Sequence, residues 1–195
     1  MRVNIKVCAL LFMSVVATAV ASGKSSWKDG ADNRRADYIF LEAQRQLALD
    51  RTDAYYEFIR RAYELNPSES SVGHDLGFYM MMLGQGDKAL TEEGLVLLQK
   101  HFDEHPDDYY GSILYGTMCE RLGQGERALG VWEKLHEIFP QKTDVSVRLA
   151  DAYLSRTADT VSQNKARNLI TSIQKAEGPH LQFTARKVLS YLNTR

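Results

Sequence analysis

Proline is scarce in this sequence, four in 195 residues, which is too few for a proline-rich linker and leaves long stretches free to form helices. Cysteine is scarcer. Of the two, Cys8 lies in an apolar leader and Cys119 stands alone after it, so a chain cleaved between them forms no internal disulfide and its core must hold unstapled. Neither sign of charge dominates: 24 basic and 25 acidic residues give a formal net charge of -1, and the field that draws a protein to nucleic acid or anionic lipid is missing. No nucleic-acid partner is expected. Serine/glycine linkers, acidic tails and low-complexity tracts are absent, so no internal domain boundary is marked. There is no G-x-S-x-G elbow and no dinucleotide fingerprint, and the Gly-x-Gly at 84–86 lacks the strand that precedes a phosphate loop. The sequence points away from an enzyme, and no cofactor is expected.

What is present begins with the leader. Arg2 and Lys6 precede an apolar run from Val7 to Val16, and small residues follow at Ala19-Val20-Ala21. A positive start, a short apolar middle and an A-x-A exit form a secretory signal peptide, here with cleavage expected after Ala21. The run is too short for a spanning helix, which needs about 20 apolar residues, so no stable membrane insertion is expected once the leader is removed. Export without a disulfide framework suits a bacterial periplasm or cell envelope better than an extracellular fluid.

The most informative feature is an octet written twice, LGQGDKAL from Leu83 and LGQGERAL from Leu122. Apolar residues at helical spacing precede both copies: Leu76, Met80 and Leu83 in one, Tyr115, Cys119 and Leu122 in the other. Ala89, Leu90, Val96 and Leu97 follow the first, and Ala128, Leu129, Trp132 and Leu135 the second. The unit reads as helix, tight turn, helix. In this reading Gly84 and Gly123 close the first helix in the left-handed conformation, and Gly86 and Gly125 reverse the chain. Asp87 and Glu126 place negative charge at the start of the second helix. Ala89 and Ala128, with Gly77 and Gly116, let the paired helices approach closely.

This pattern resembles the tetratricopeptide repeat, a helix-turn-helix unit of about 34 residues. Tyr115-Gly116-x2-Cys119, Ala128-x3-Trp132 and Pro140 keep its spacing, with Tyr and Cys in place of the usual Leu and Tyr. Leu76-Gly77-x2-Met80 and Ala89 open a second match whose proline, Pro106, comes five residues late, so its second helix is expected to be a turn longer. A degenerate first copy ends at Pro67, with Ala43 in the glycine place, and a fourth runs from Leu149-Ala150-x2-Tyr153 to Pro179, with Ala166 four residues late.

The resemblance implies an all-α, right-handed superhelical stack. After the leader (1–21) and a short segment (22–35), it predicts four helix pairs at 36–69, 70–108, 109–142 and 143–179, then an amphipathic capping helix at 180–195. It also implies a non-enzymatic interaction scaffold that holds a partner segment, from another envelope protein or peptide, in a concave groove. The inner positions would be Phe40, Gln44, His74, Phe78, Met81, Tyr110, Ile113 and Thr117, with Glu120, Asp144 and Asp151 making the later half acidic. The family's lysine, asparagine and arginine clamp for a peptide carboxylate has no counterpart here, so apolar contact with hydrogen bonds from His74 and Gln44 is expected instead.

Two competing readings remain at this point. His101 and His105, four apart, could share a helix face and ligate zinc, as in a metal-binding periplasmic protein. Phe102 stands where a zinc-protease motif needs glutamate, however, and Pro106 ends the helix, so a solvated polar helix end is favoured and no metal is expected. An apolar inner face could instead join copies into a structural homo-oligomer. Cys119 falls on a packing face and reads as an inert buried thiol.

Overall fold

A computed structural model describes residues 31–84, 86–156 and 159–177. The leader, with its cleavage point, and the expected capping helix at 180–195 lie outside the described residues. Eight helices occur among them and no strand: α1 Ala31–Ala48, α2 Thr52–Leu65, α3 Ser70–Leu83, α4 Lys88–Glu104, α5 Tyr109–Arg121, α6 Gly125–Ile138, α7 Thr143–Leu154 and α8 Thr160–Glu177. The fold is an all-α, tetratricopeptide-like arrangement of helices. By internal packing the chain divides between Val72 and Gly73 into two compact units.

In the first unit α1 packs against α2. Ala36 and Ala43 are fully buried on α1, as are Tyr55, Ile59 and Ala62 on α2, and small side chains on one helix leave room for large ones on the other. Asp50 makes the turn between them with φ 60, a left-handed conformation that aspartate tolerates better than most residues.

In the second unit α4, α6 and α8 each bury residues at i, i+4 and i+7, the spacing that puts three side chains on one helical face. They are Gly94, Leu98 and His101 on α4, Ala128, Trp132 and Leu135 on α6, and Ala166, Ile170 and Ile173 on α8. One core cluster joins Leu95, Leu98, Tyr115, Cys119, Ala128, Trp132, Leu135, Val145 and Tyr153, so α4 through α7 share their buried faces. Gly77 and Gly116 sit at equivalent crossings. A Cβ on Gly77 would lie 2.9 Å from Leu97 and 3.3 Å from Leu98, and one on Gly116 2.8 Å from Trp132 and 3.0 Å from Val131.

Those contacts also correct the expected register of α4. Leu97 and Leu98 precede Val131 and Trp132 by one ordinary repeat length, about 34 residues, whereas the interval from Gly77 to Gly116 is five longer. The small residue facing Gly77 is therefore Gly94, its carbonyl oxygen 2.7 Å from where a Gly77 Cβ would stand. Ala89, expected at that crossing, is exposed, and so is Val96 at 62%. The five extra residues lengthen the start of α4: it has 17 residues against 14 for α6, and Pro106 keeps its usual distance from the packing face.

The turns differ too. Gly123 has φ +69, as expected of a residue closing a helix, but in the first octet the positive φ of +107 belongs to Gly86. Gly84 serves instead as a close contact, where a Cβ would lie 2.8 Å from the Met80 carbonyl and 2.9 Å from Thr91. Asp87 caps α4, accepting from the Leu90 N–H at 3.1 Å. Glu126 makes no such cap: α6 begins two residues after Gly123, Gln124 is its cap residue without a side-chain bond, and Glu126 pairs with Arg156. Leu83 and Leu122, read as packing residues, are both exposed at the helix ends.

Candidate functional site

The first helix of each pair carries the positions expected on an inner face. On α1, Phe40 and Gln44 are half-buried. In the second unit only Tyr110 is open to water, at 64%; Phe78, Ile113 and Thr117 are half-buried, and His74 and Met81 are buried. Met81 belongs to the core cluster and Ile113 packs against it. Met81, in the last turn of α3, is thus drawn into the core, whereas Tyr110, in the first turn of α5, faces outward.

The acidic half is less acidic than its letters imply. Glu120 accepts from Trp132 Nε1–H at 2.7 Å and from Arg148 at 3.1 Å, and the Arg148 guanidinium lies 5.1 Å from the Trp132 ring centre. One carboxylate therefore ties α5, α6 and α7 together. Asp144 accepts from the Tyr109 hydroxyl, whose ring meets Phe139 edge-on and lies 4.9 Å from Lys142 Nζ. Burial, with Asp144 beside it, pushes the Tyr109 hydroxyl well above its ordinary value. Exposed Asp151 completes a row with Asp144 and Arg148 along α7.

A second cluster was not legible as one. His101 is 7% exposed, and its Nε2 lies 2.9 Å from Asp108 Oδ2; its ring centre is 4.7 Å from that of His74 and 5.3 Å from that of His105. His74 Nδ1 lies 3.3 Å from Asp75. Asp108 also caps α5 through the Gly111 N–H at 3.2 Å. His101 is therefore part of the core and its nitrogen is spent on a carboxylate; only His105 stands in water. Among the described residues no three His, Cys, Asp or Glu side chains are placed to hold a metal. Cys119 is fully buried, and burial pushes its thiol above the ordinary value against a hydrogen bond from Tyr115. No helix among the described residues is long and apolar enough to cross a membrane.

No protein-family profile matches the chain, and no curated protein does. Solved structures do. MamA residues 41 to the end from Desulfovibrio magneticus RS-1 is 16% identical with a TM-score of 0.54, over 85% of this chain and 95% of that one. Another MamA crystal structure gives 14% and 0.58, over 78% and 81%. A putative kinesin light chain from Podosopora anserina, described as having nearly identical TPR-like repeats, gives 17% and 0.51, over 88% and 87%. At such identities the likeness is one of fold, and with the helix pairs and their buried i, i+4, i+7 faces it identifies this chain as a protein of tetratricopeptide-repeat-like, all-α fold.

Proposed function

We propose that the protein is an exported, non-enzymatic scaffold that holds a segment of another envelope protein or peptide. The observation that carries this reading is Tyr110. It keeps a large aromatic ring in water at the start of α5 while Met81, Ile113 and Val147 on comparable positions are drawn inward. An exposed tyrosine with a polar tip suits recognition, since it offers contact area at little conformational cost. Thr117 lies seven residues on, along the same face of α5, and Asp144 bonds the neighbouring Tyr109. Repeat folds of this kind use extended surfaces to bind partners, which supports the reading.

A photoreactive amino acid at position 110, compared with one at exposed Val96 on α4, tests the surface in cells that make the protein. A discrete adduct at 110, lost with Thr117→Asp and missing at 96, is expected; equal adducts at both positions would refute the assignment. Mass spectrometry of the processed chain checks export, with Ser22 as the expected first residue and an intact Met1 overturning it.

A further inference from the structure

The corner between α4 and α5 has a built-in control at the corner between α6 and α7. Residues 105–112, HPDDYYGS, align without a gap on residues 139–146, FPQKTDVS. Their backbones bond alike: His105 N–H to His101 O and Phe139 N–H to Leu135 O, both 2.8 Å; Asp108 N–H to His105 O and Lys142 N–H to Phe139 O, both 3.0 Å; Ser112 N–H to Asp108 O at 2.9 Å and Ser146 N–H to Lys142 O at 3.1 Å. The side chains filling these matched frames differ in kind.

Where the later corner has Leu135, Lys142 and Val145, the earlier one has His101, Asp108 and Gly111. Leu135 and Val145 are fully buried, so hydrocarbon can fill the places that His101 and Gly111 hold in the earlier corner. Gly111 is part of the exchange: a Cβ there would stand 2.5 Å from Asp108 Oδ2 and 3.1 Å from His101 Cδ2. The valine of the other corner would therefore expel the imidazole–carboxylate pair. His74 repeats the substitution on α3, at the helix position that Ile113 and Val147 occupy on α5 and α7.

We propose that the 101–112 corner is an acid-release joint, which opens when Asp108 takes up a proton while the 135–146 corner stays shut. The groups facing it are His74 and Asp75 from α3, His105 from the end of α4, and Asp108 at the start of α5. Tyr79, near Asp75, is pushed up to about 12 by burial and that carboxylate and stays neutral throughout. A neutral Asp108 no longer sets a charge against the neighbouring rings of His101 and His74, and its bond to His101 Nε2, which ties the end of α4 to the start of α5, loses its charge assistance. The same proton weakens the carboxylate's bond to the Gly111 N–H and so loosens the start of α5.

The sign follows from Asp108. Burial alone would push its carboxyl up, but the His101 bond, the Gly111 N–H and the charges of His101 and His74 hold it below the ordinary value. A carboxyl held low stabilises the folded state above its unfolded value, and that stability is lost as pH falls through the folded one. Release therefore belongs below the ordinary carboxylate value of about 3.9.

Hydrogen exchange on the full chain, corrected for intrinsic rate and followed from pH 7 to about pH 2.5, reads both corners at once. Protection over 105–112 should fall by up to about tenfold per pH unit below the carboxylate range, ahead of 139–146. Asp108→Asn, neutral at every pH, should already show the lowered protection over 105–112 at pH 7 and no further fall of that segment ahead of 139–146 through the carboxylate range. The pair His101→Leu with Gly111→Val, which rebuilds the neighbouring corner, should also abolish the fall ahead of 139–146. Loss of protection at both corners in step in the wild type, or the same pH-dependent fall over 105–112 through the carboxylate range in Asp108→Asn, overturns the proposal.

Discussion

Residues 83–90 and 122–129 spell nearly the same turn, yet the two helices that leave it bury different faces. Within LGQGERAL the chain enters α6 at Gly125, and the octet's own Ala128 and Leu129 are buried. Within LGQGDKAL it enters α4 at Lys88, but the buried face begins only at Gly94, past the octet. Five residues at 1.5 Å and 100° each carry the contact about 7.5 Å along the axis and about 140° around it. What fixes the register is the set of side chains that can be buried together, with glycine opposite glycine at one crossing and glycine opposite tryptophan at the other. The letters of the turn do not decide it.

The comparison breaks most visibly at the i+4 place of the buried face. If α4 precedes α6 by one ordinary repeat length, Leu98 is the counterpart of Trp132; if the octets set the register, Glu93 is. Trp132→Ala should cost about 3–5 kcal/mol and Leu98→Ala about 2–5 kcal/mol, whereas Glu93→Ala should stay within about 0.5 kcal/mol. Chemical denaturation of the three variants at one temperature reads this directly. A loss at Glu93 comparable to that at Leu98 would restore the octet register.

The alanines of the two octets sharpen the same point with a smaller effect. Ala128 is buried and Ala89 exposed, so Ala128→Leu should overpack its crossing at about 1–3 kcal/mol and Ala89→Leu should be nearly neutral. Equal melting shifts would contradict the exposure of Ala89.

These residues also show how far the sequence could be read. The helix pairs, the crossings at Gly77 and Gly116 and the all-α class follow from spacings that survive in the letters. The α4 register does not, because two of its three buried places hold Gly94 and His101, residues that no hydrophobic pattern flags. Ala89 and Leu90 meanwhile imitate the expected face. Among the positions expected on an inner face, whether Met81 or Tyr110 meets water depends on the neighbouring helices, and no local period encodes that. The His101–Asp108 pair was hidden for a related reason. Its members lie seven apart across a proline corner, and the clue was Gly111 standing where the aligned corner has a valine.

The smallest effect concerns how the two second helices begin. Asp87 accepts the Leu90 N–H, whereas Gln124, at the head of α6, makes no side-chain cap. Replacing an aspartate cap by alanine costs about 0.5–2 kcal/mol, so Asp87→Ala should lower stability by about 1 kcal/mol, and Gln124→Ala should leave it within about 0.5 kcal/mol. The cap sits about two turns before the buried face of α4 begins at Gly94. Exchange protection should therefore fall over Lys88–Glu92 and hold from Leu95 onward if that first stretch is an extension fastened by Asp87 and Thr91, whose hydroxyl donates to the Gly84 carbonyl at 2.9 Å. Loss of protection along the whole of α4 would mean instead that its start and its buried face unfold as one, and the extra residues would then belong to the packed helix.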